Sequence, residues 1–259
     1  MARLILTRPQ EQADSWLHSF KEAGYDIVSW PLISIQSIQD TTLVAQLWKE
    51  WTSYQAVMFV SRSAVDHAIM HKPQFHMWGQ TRCWATGPGT KKALVSHGVP
   101  IQLIDAPDDK DQQFDTESLW KIVHTKIDLK QPVLIVRGAD VEDNGFQLQG
   151  VGREWLSQQI KAQGIRVDTV ASYIRSVPLW NSDQQMQADL ATQDGSIWIL
   201  SSSQALDHLA KLLPHQSWNL AKALVTHERI AQSVKQLGFG VVRTSRPLMA
   251  DMLASLEYF

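Results

Sequence analysis

The sequence predicts an α/β protein made of two similar, doubly wound parallel-sheet halves. Three observations carry this. The runs VLIV (133–136), AVMFV (56–60) and IWIL (197–200) are apolar throughout rather than alternating. That pattern marks strands buried on both faces, as in a parallel sheet. Each such run is followed by a polar turn and then a helix signal, often closed by a glycine. The chain also echoes itself: Phe59–Val65 parallels Ile199–Ala205, and the run from Ala85 to Gly98 parallels that from Val225 to Gly238. At 259 residues the chain exceeds one typical domain, and two related halves account for the length.

Taken in order, Arg3 to Leu6 reads as a strand and Thr7-Arg8-Pro9 as the turn into a helix. Ala13, Trp16, Leu17 and Phe20 form that helix's apolar stripe, and Gly24 ends it. DIVSWPL (26–32) is the next strand. PLISIQSIQ (31–39) alternates and predicts an edge strand or an extended connection. Thr41 to Trp51 reads as a helix. QAVMFV (55–60) is a strand, with Ser61 or Ser63 as the N-cap of the helix that follows. CWATGPGTKKALVSHG (83–98) is a strand, a Gly-Pro-Gly turn and a helix. VPIQLIDAP (99–107) predicts a strand and DDKDQQ (108–113) a solvated loop. A helix follows, capped by Asp115 or Thr116.

VLIVRGAD then reads as a strand ending at Arg137-Gly138. Trp155, Leu156 and Ile160 form the next helix stripe, and IRVDTVASY a further strand. IRSVPLW (174–180) parallels PLISIQ as a return connection. The remainder is a polar helix and turn (187–196), a strand at 196–200, a helix with Leu206, Leu209 and Leu213, a strand-helix-strand run over 223–245, and a closing helix with Leu248, Met252 and Leu256.

Composition narrows the function classes. The net charge of −2 gives no basic field for nucleic acid. The single cysteine, Cys83, excludes an internal disulfide framework and fits a reducing compartment. No segment nears the ~18 apolar residues of a membrane span, and MARLIL is too short an apolar run for a signal peptide. The expectation is a soluble cytoplasmic protein, monomeric because two domains already bury the apolar faces. No GxxxxGK[ST], GxGxxG after a strand, HExxH, clustered Cys/His or GxSxG occurs. No cofactor or metal is therefore expected. His208 and His215 read as surface residues.

What remains is a set of polar groups at strand ends and helix starts: Thr7, Arg8, Ser61, Arg62, Gly87, Gly89, Thr90, Arg137, Gly138, Ser201, Ser202, Ser203, His227 and Arg229. Ligands of open α/β sheets sit at strand carboxyl ends. Gly87-Pro88-Gly89 lets backbone approach a ligand, and helix starts offer N–H groups to anions. Each hydroxyl also has a local use as a helix cap, and each arginine as a surface ion pair.

Val133-Leu134-Ile135-Val136-Arg137-Gly138, then Gly152-Arg153-Glu154-Trp155-Leu156, then Tyr173 followed two residues later by Arg175, is similar to uroporphyrinogen-III synthases. The opening strand, Thr7-Arg8-Pro9, helix ending in Gly and strand ending in Pro-Leu also match, and Gly87-Pro88-Gly89-Thr90 resembles the family's Gly-Pro-x-Thr. The resemblance covers essentially the whole chain through order and spacing. It implies a discontinuous domain, 1–36 plus 177–259, and an inserted domain, 37–176, joined by a two-stranded hinge. Strand ends of both domains would face one cleft.

The implied activity is cyclisation of hydroxymethylbilane to uroporphyrinogen III, with inversion of the last pyrrole and loss of water. No cofactor is implied. The substrate is a flexible, multiply carboxylated small molecule, handed over transiently by hydroxymethylbilane synthase. Tyr173 matches the family's tyrosine and would donate the proton to the leaving hydroxyl. The remaining residues of the set would hold substrate. Two departures stand out. ADVEDNGFQLQGV (139–151) lengthens the stretch before Gly152 and reads as a surface insertion or a lid. Thr226-His227-Glu228 stands where many members have Gly-Pro-x, so His227 would supply a side-chain contact in place of a backbone one. Two other readings are a cytosolic two-lobed ligand sensor and an inactive paralogue.

Overall fold

The structure is a computed structural model that describes residues 2–108, 113–142, 145–146 and 154–259. Among these, ten α-helices and two sheets form two compact units. One comprises Met1–Ser34 with Ser176–Phe259, the other Ile35–Arg175.

The first unit holds β1 (Leu4–Leu6), α1 (Gln10–Glu22) and β2 (Ile27–Ser29), then α7 (Ser182–Leu190), β10 (Ile197–Leu200), α8 (Ser203–Leu212), β11 (Lys222–Val225), α9 (Glu228–Leu237), β12 (Val241–Thr244) and α10 (Met249–Leu256). Its strands run in the order β12-β11-β10-β1-β2, all parallel. Period-two alternation divides their side chains between two faces. Leu4, Leu6, Ile197, Ile199 and Leu224 pack with Phe20 of α1 and Met252 and Leu256 of α10. Trp198 points the other way and meets Trp30 and Trp218 at ring-centroid distances of 5.9 and 5.8 Å.

The second unit holds β3 (Ser34–Ser37), α2 (Thr42–Lys49), β4 (Ala56–Phe59), α3 (Arg62–Ile69), β5 (Arg82–Ala85), α4 (Pro88–Ser96), β6 (Ile104–Asp105), α5 (Thr116–Val123), β7 (Val133–Glu142), β8 (Gly145–Phe146), α6 (Trp155–Ala162) and β9 (Val167–Ser176). The strand order is β3-β9-β7-β4-β5-β6, with β8 paired antiparallel to β7. Val57, Phe59, Leu134 and Val136 pack on one face with α2, α3 and α4. Ala56, Met58, Val133 and Ile135 pack on the other with α5 and α6. Both faces of β4 and β7 are covered, which is why these runs carry no polar alternation.

Four details differ from the sequence reading. The stretch 99–107 is a 3₁₀ turn, Ile101–Leu103, and only two residues of strand. Pro100 lacks the N–H a ladder needs. β7 does not stop at Arg137-Gly138. A register shift between those residues carries it on to Glu142, where it turns back into β8. The described part of 139–151 is thus a strand extension with a hairpin return. Residues 143–144 and 147–151 of that insertion, the Gly152-Arg153 pair and residues 109–112 lie outside the described residues. His208 is not on the surface. It is buried, and its Nδ1–H donates to the Leu32 carbonyl at 2.6 Å, since a carbonyl only accepts.

In the second unit Trp48 and Trp51 stack 5.1 Å apart, and His76 sits edge-on to Trp48, Trp51 and Trp78. Burial, aided by nearby Lys72, lowers the His76 pKa from 6.5. The folded state then binds fewer protons than the unfolded chain. The neutral ring's contribution is complete above 6.5 and is lost as pH falls below it, toward the lowered folded value. Melting temperatures at about pH 7.5 and about pH 5 should therefore differ more in the wild type than in His76→Phe. Equal pH dependence in both would contradict this.

No helix among the described residues is long and apolar enough to cross a membrane. The Cys83 thiol is buried, and burial pushes it up to about 12, so it is held as an unreactive thiol.

Candidate active site

The residues singled out from the sequence fall into two groups, one in each unit. In the second unit Ser61 and Gly138 meet Tyr173, whereas Arg62, Arg137 and the Gly87–Thr90 turn have other surroundings. β4 ends at Phe59, and Ser61 caps α3 by accepting from Ala64 N–H at 3.1 Å. The same Ser61 Oγ lies 3.1 Å from the Tyr173 hydroxyl. Tyr173 is 3% exposed. The shift at Arg137/Gly138 sets Gly138 opposite Tyr173 across the β7–β9 pairing. A Cβ on Gly138 would lie 2.7 Å from two ring carbons of Tyr173 and 3.0 Å from its oxygen. Gly138 is required by close approach of the ring, not by its backbone angles.

Arg137 precedes this slot, buried, and pairs with Glu154 at 2.8 Å. Arg62 pairs with Asp66 one turn along α3 at 3.2 Å, and Asp66 also meets His97 of α4 at 2.8 Å. Both arginines thus hold carboxylates of the protein itself. Gly87 starts α4 with extended backbone that any residue adopts, and no side chain caps that helix. A Cβ on Gly89 would meet nothing within 4 Å, so the α4 N-terminus is open at that point. Thr90 is buried in the first turn of α4.

In the first unit the parallel strands deliver every carboxyl end to one edge. Thr7 follows β1, but its buried hydroxyl donates to the Ile199 carbonyl of β10 at 2.6 Å. Arg8 lies 4.3 Å over the Trp16 ring. Its Nε is buried without a hydrogen-bond partner, and burial lowers the guanidinium to about 10, which leaves it charged at neutral pH. Ser201 follows β10, Ser202 occupies the N-cap of α8 without a side-chain cap bond, and the Ser203 Oγ is buried without a partner. His227 caps α9, its Nδ1 accepting from Arg229 N–H at 3.1 Å, which puts the ring proton on Nε2. The Arg229 side chain is exposed.

Two further groups share these edges. Ser245-Arg246-Pro247, between β12 and α10, repeats the hydroxyl-Arg-Pro order of Thr7-Arg8-Pro9, and that repeated triplet was a signal for it. Ser245 is buried, and Arg246 pairs with Asp251 at 2.8 Å. In the second unit, Ser172 donates to the Ala64 carbonyl at 3.2 Å and the His67 ring packs 5.8 Å from that of Tyr173. Neither carries a motif.

The starts of α1, α4, α8 and α10 have no side-chain cap. Their first-turn N–H groups suit anions. In the first unit the open starts of α1, α8 and α10 and the stacked Arg8 fit an anionic group, and in the second the buried Tyr173 hydroxyl can take part in a single proton transfer.

Residues 14–254 match the family model described as uroporphyrinogen-III synthase HemD. The chain belongs to that family. A curated uroporphyrinogen-III synthase from Chlorobaculum parvum is 27% identical over 107 residues, a stretch covering 39% of this chain and 42% of the relative. That alignment spans less than half the relative's length. The fold resembles uroporphyrinogen-III synthetase from Helicobacter pylori with a TM-score of 0.60 at 15% identity, covering 100% of both chains. It also resembles a mutant uroporphyrinogen III synthase from Thermus thermophilus, with a TM-score of 0.58 at 12% identity, covering 100% of this chain and 98% of the other. At such identities the likeness is one of fold, and it extends to the two-domain α/β architecture of uroporphyrinogen-III synthases.

Proposed function

We propose that this chain cyclises hydroxymethylbilane to uroporphyrinogen III, inverting the last pyrrole and releasing one water. The observation that carries the reading is family membership across residues 14–254. The Tyr173 slot supports it. The hydroxyl is held at Ser61, over a glycine that leaves it room.

In this reading Tyr173 protonates the terminal hydroxyl as the C–O bond breaks. Water leaves, and the pyrrole nitrogen stabilises the resulting azafulvene cation. The last pyrrole attacks through its substituted position and gives a spiro intermediate. Fragmentation and reclosure follow in the inverted sense. The ring proton lost on rearomatisation returns to the tyrosinate, so the enzyme ends as it began. General-acid help of this kind is worth about 10²–10⁴-fold. Positioning contributes the rest, because the uninverted closure must be prevented. Ser61 orients the donor, and Gly138 gives its ring room.

Carboxylates of the bilane are held by Arg8 and the open starts of α1, α8 and α10, and separately by the α4 start at Gly89. Ser201, Ser202, Ser203, His227 and Arg229 complete the first unit's edge. One of these groups lies in each of the proposed domains, 1–36 plus 177–259 and 37–176. The chain acts in the cytoplasm as a monomer that receives its short-lived substrate from hydroxymethylbilane synthase.

The contact at Arg8 has a defined consequence. One charge-assisted bond is worth about 1.5–3 kcal/mol. Arg8→Ala should raise KM for the bilane by about tenfold or more with kcat little changed. Arg8→Lys should restore little, because an ammonium does not reproduce the planar stack on Trp16. An unchanged KM would remove Arg8 from the site. The proposal as a whole is tested by the first-order disappearance of fresh hydroxymethylbilane, with no cofactor added. Folded protein should accelerate it well beyond the protein-free rate. No acceleration would reject the enzyme reading in favour of a sensor or an inactive relative.

A further inference from the structure

Tyr173 lies on β9, and α3 lines one side of that strand through three successive contacts. Ser61, at the start of α3, meets the Tyr173 hydroxyl at 3.1 Å. The Ala64 carbonyl accepts from Ser172 Oγ at 3.2 Å. His67 places its ring 5.8 Å from the Tyr173 ring, tilted by 32°. The spacing of 61, 64 and 67 is one i±3 row of a helix, so a single rigid ridge touches consecutive residues of the strand. Gly138, on the neighbouring strand β7, approaches the same ring closely enough that a Cβ there would lie 2.7 Å from it.

His67 is itself fixed. It is 5% exposed, and its Nδ1 lies 3.3 Å from Ser37 Oγ. Ser37 is an exposed residue of β3, the strand that neighbours β9. A buried imidazole in a helix otherwise lined by Val65, Ala64 and Ala68 has a polar edge to satisfy, and Ser37 satisfies part of it. Leucine or phenylalanine would fill the same volume without that need. The imidazole's hydrogen bond fixes the ring plane, and the ring plane limits how Tyr173 can tilt.

We infer that His67, held by Ser37, is a positioning residue for the Tyr173 hydroxyl. It does not touch the reacting atoms. Ser37 sets the imidazole plane, the imidazole and the Gly138 backbone together confine the phenol ring, and the hydroxyl is thereby kept on Ser61. The inference rests on the proposed cyclisation, in which that hydroxyl is the proton donor.

The test is a set of variants assayed for conversion of fresh hydroxymethylbilane, with wild type in parallel. His67→Phe keeps the ring and loses the bond to Ser37. Ser37→Ala removes the other partner at an exposed position, where folding is not at risk. Each should lower kcat by about tenfold and leave KM within about twofold, because only orientation at the reacting centre is lost. The double variant should be no worse than either single one. In a Tyr173→Phe background neither change should lower kcat further, since there is no hydroxyl left to orient. A purely structural role would lower the melting temperature and leave kcat per folded molecule intact, and that result overturns the inference. So does an additive loss in the Tyr173→Phe background. If the wild type itself fails to accelerate bilane conversion, the cyclisation reading falls, and the inference falls with it.

Discussion

Gly138→Ala is expected to cost about 1–3 kcal/mol of stability and to reduce bilane cyclisation at least tenfold. The added methyl would sit 2.7 Å from Cε2 and Cζ of Tyr173, inside any van der Waals limit. The phenol cannot absorb this by a small rotation. Its ring is buried, His67 packs at its side, and its hydroxyl meets Ser61. Any retreat from position 138 lengthens the Ser61 contact or pushes into His67. Stability and activity should therefore fall together. A second variant separates the two causes. Adding Gly138→Ala to Tyr173→Ala removes the ring that clashes, so it should cost less than about 0.5 kcal/mol beyond Tyr173→Ala alone. Urea unfolding of the four proteins checks this. A Gly138→Ala protein of normal stability and activity would show that the slot is not filled as described.

Gly240→Ala should be the more damaging change to folding, at about 3 kcal/mol or more. Here the obstruction is main chain. A Cβ would overlap the Asn219 carbonyl oxygen and lie 3.0 Å from the Asn219 carbonyl carbon. Backbone cannot rotate away as a side-chain tip can. The Gly240 N–H also donates to the Trp218 and Ala221 carbonyls at 3.1 Å each. Relief would require β12 to move away from the segment before β11, at the edge of the first sheet. The expected readout is a large loss of stability with Trp218 fluorescence altered, since that ring stacks on Phe239 beside the substituted position. A loss under about 1 kcal/mol would contradict the close approach.

Much of the fold was legible because burial leaves its pattern in the sequence. Ala56–Phe59 and Val133–Val136 are apolar at every position because helices cover both faces of their sheet. The glycines at 24, 98, 164 and 238 end helices with positive φ. The extension of β7 was not legible. Arg137-Gly138 reads as the end of a strand, yet the glycine is there to admit a ring from β9, a partner more than thirty residues away in sequence. The same distance hid the Ser37–His67–Tyr173 line, because isolated Ser and His residues carry no motif.

For the candidate site, residue types were legible and their partners within the protein were not. Thr7 and Arg8 are adjacent and read alike, but the Thr7 hydroxyl is committed to Ile199 whereas the Arg8 Nε has no partner. Arg137 and Arg62 read as substrate contacts and are each paired within the protein, to Glu154 and Asp66. His227 reads as a replacement for a backbone contact and serves as the side-chain cap of α9. Only three-dimensional neighbours separate these cases. His208 is a clear departure. It read as a surface residue, but the helix turns it inward onto Leu32.

The isomer composition of the product decides whether this chain performs the inverting cyclisation and whether Tyr173 drives it. Fresh hydroxymethylbilane is incubated with the wild-type protein and with Tyr173→Phe, and the porphyrinogens are oxidised and separated. Predominantly isomer III is expected from the wild type, and from Tyr173→Phe a rate of isomer III formation lowered about 10²-fold or more, with spontaneous isomer I making up the remainder. Isomer I alone from folded wild-type protein would contradict the proposed activity, and undiminished isomer III from Tyr173→Phe would remove the tyrosine from the chemistry.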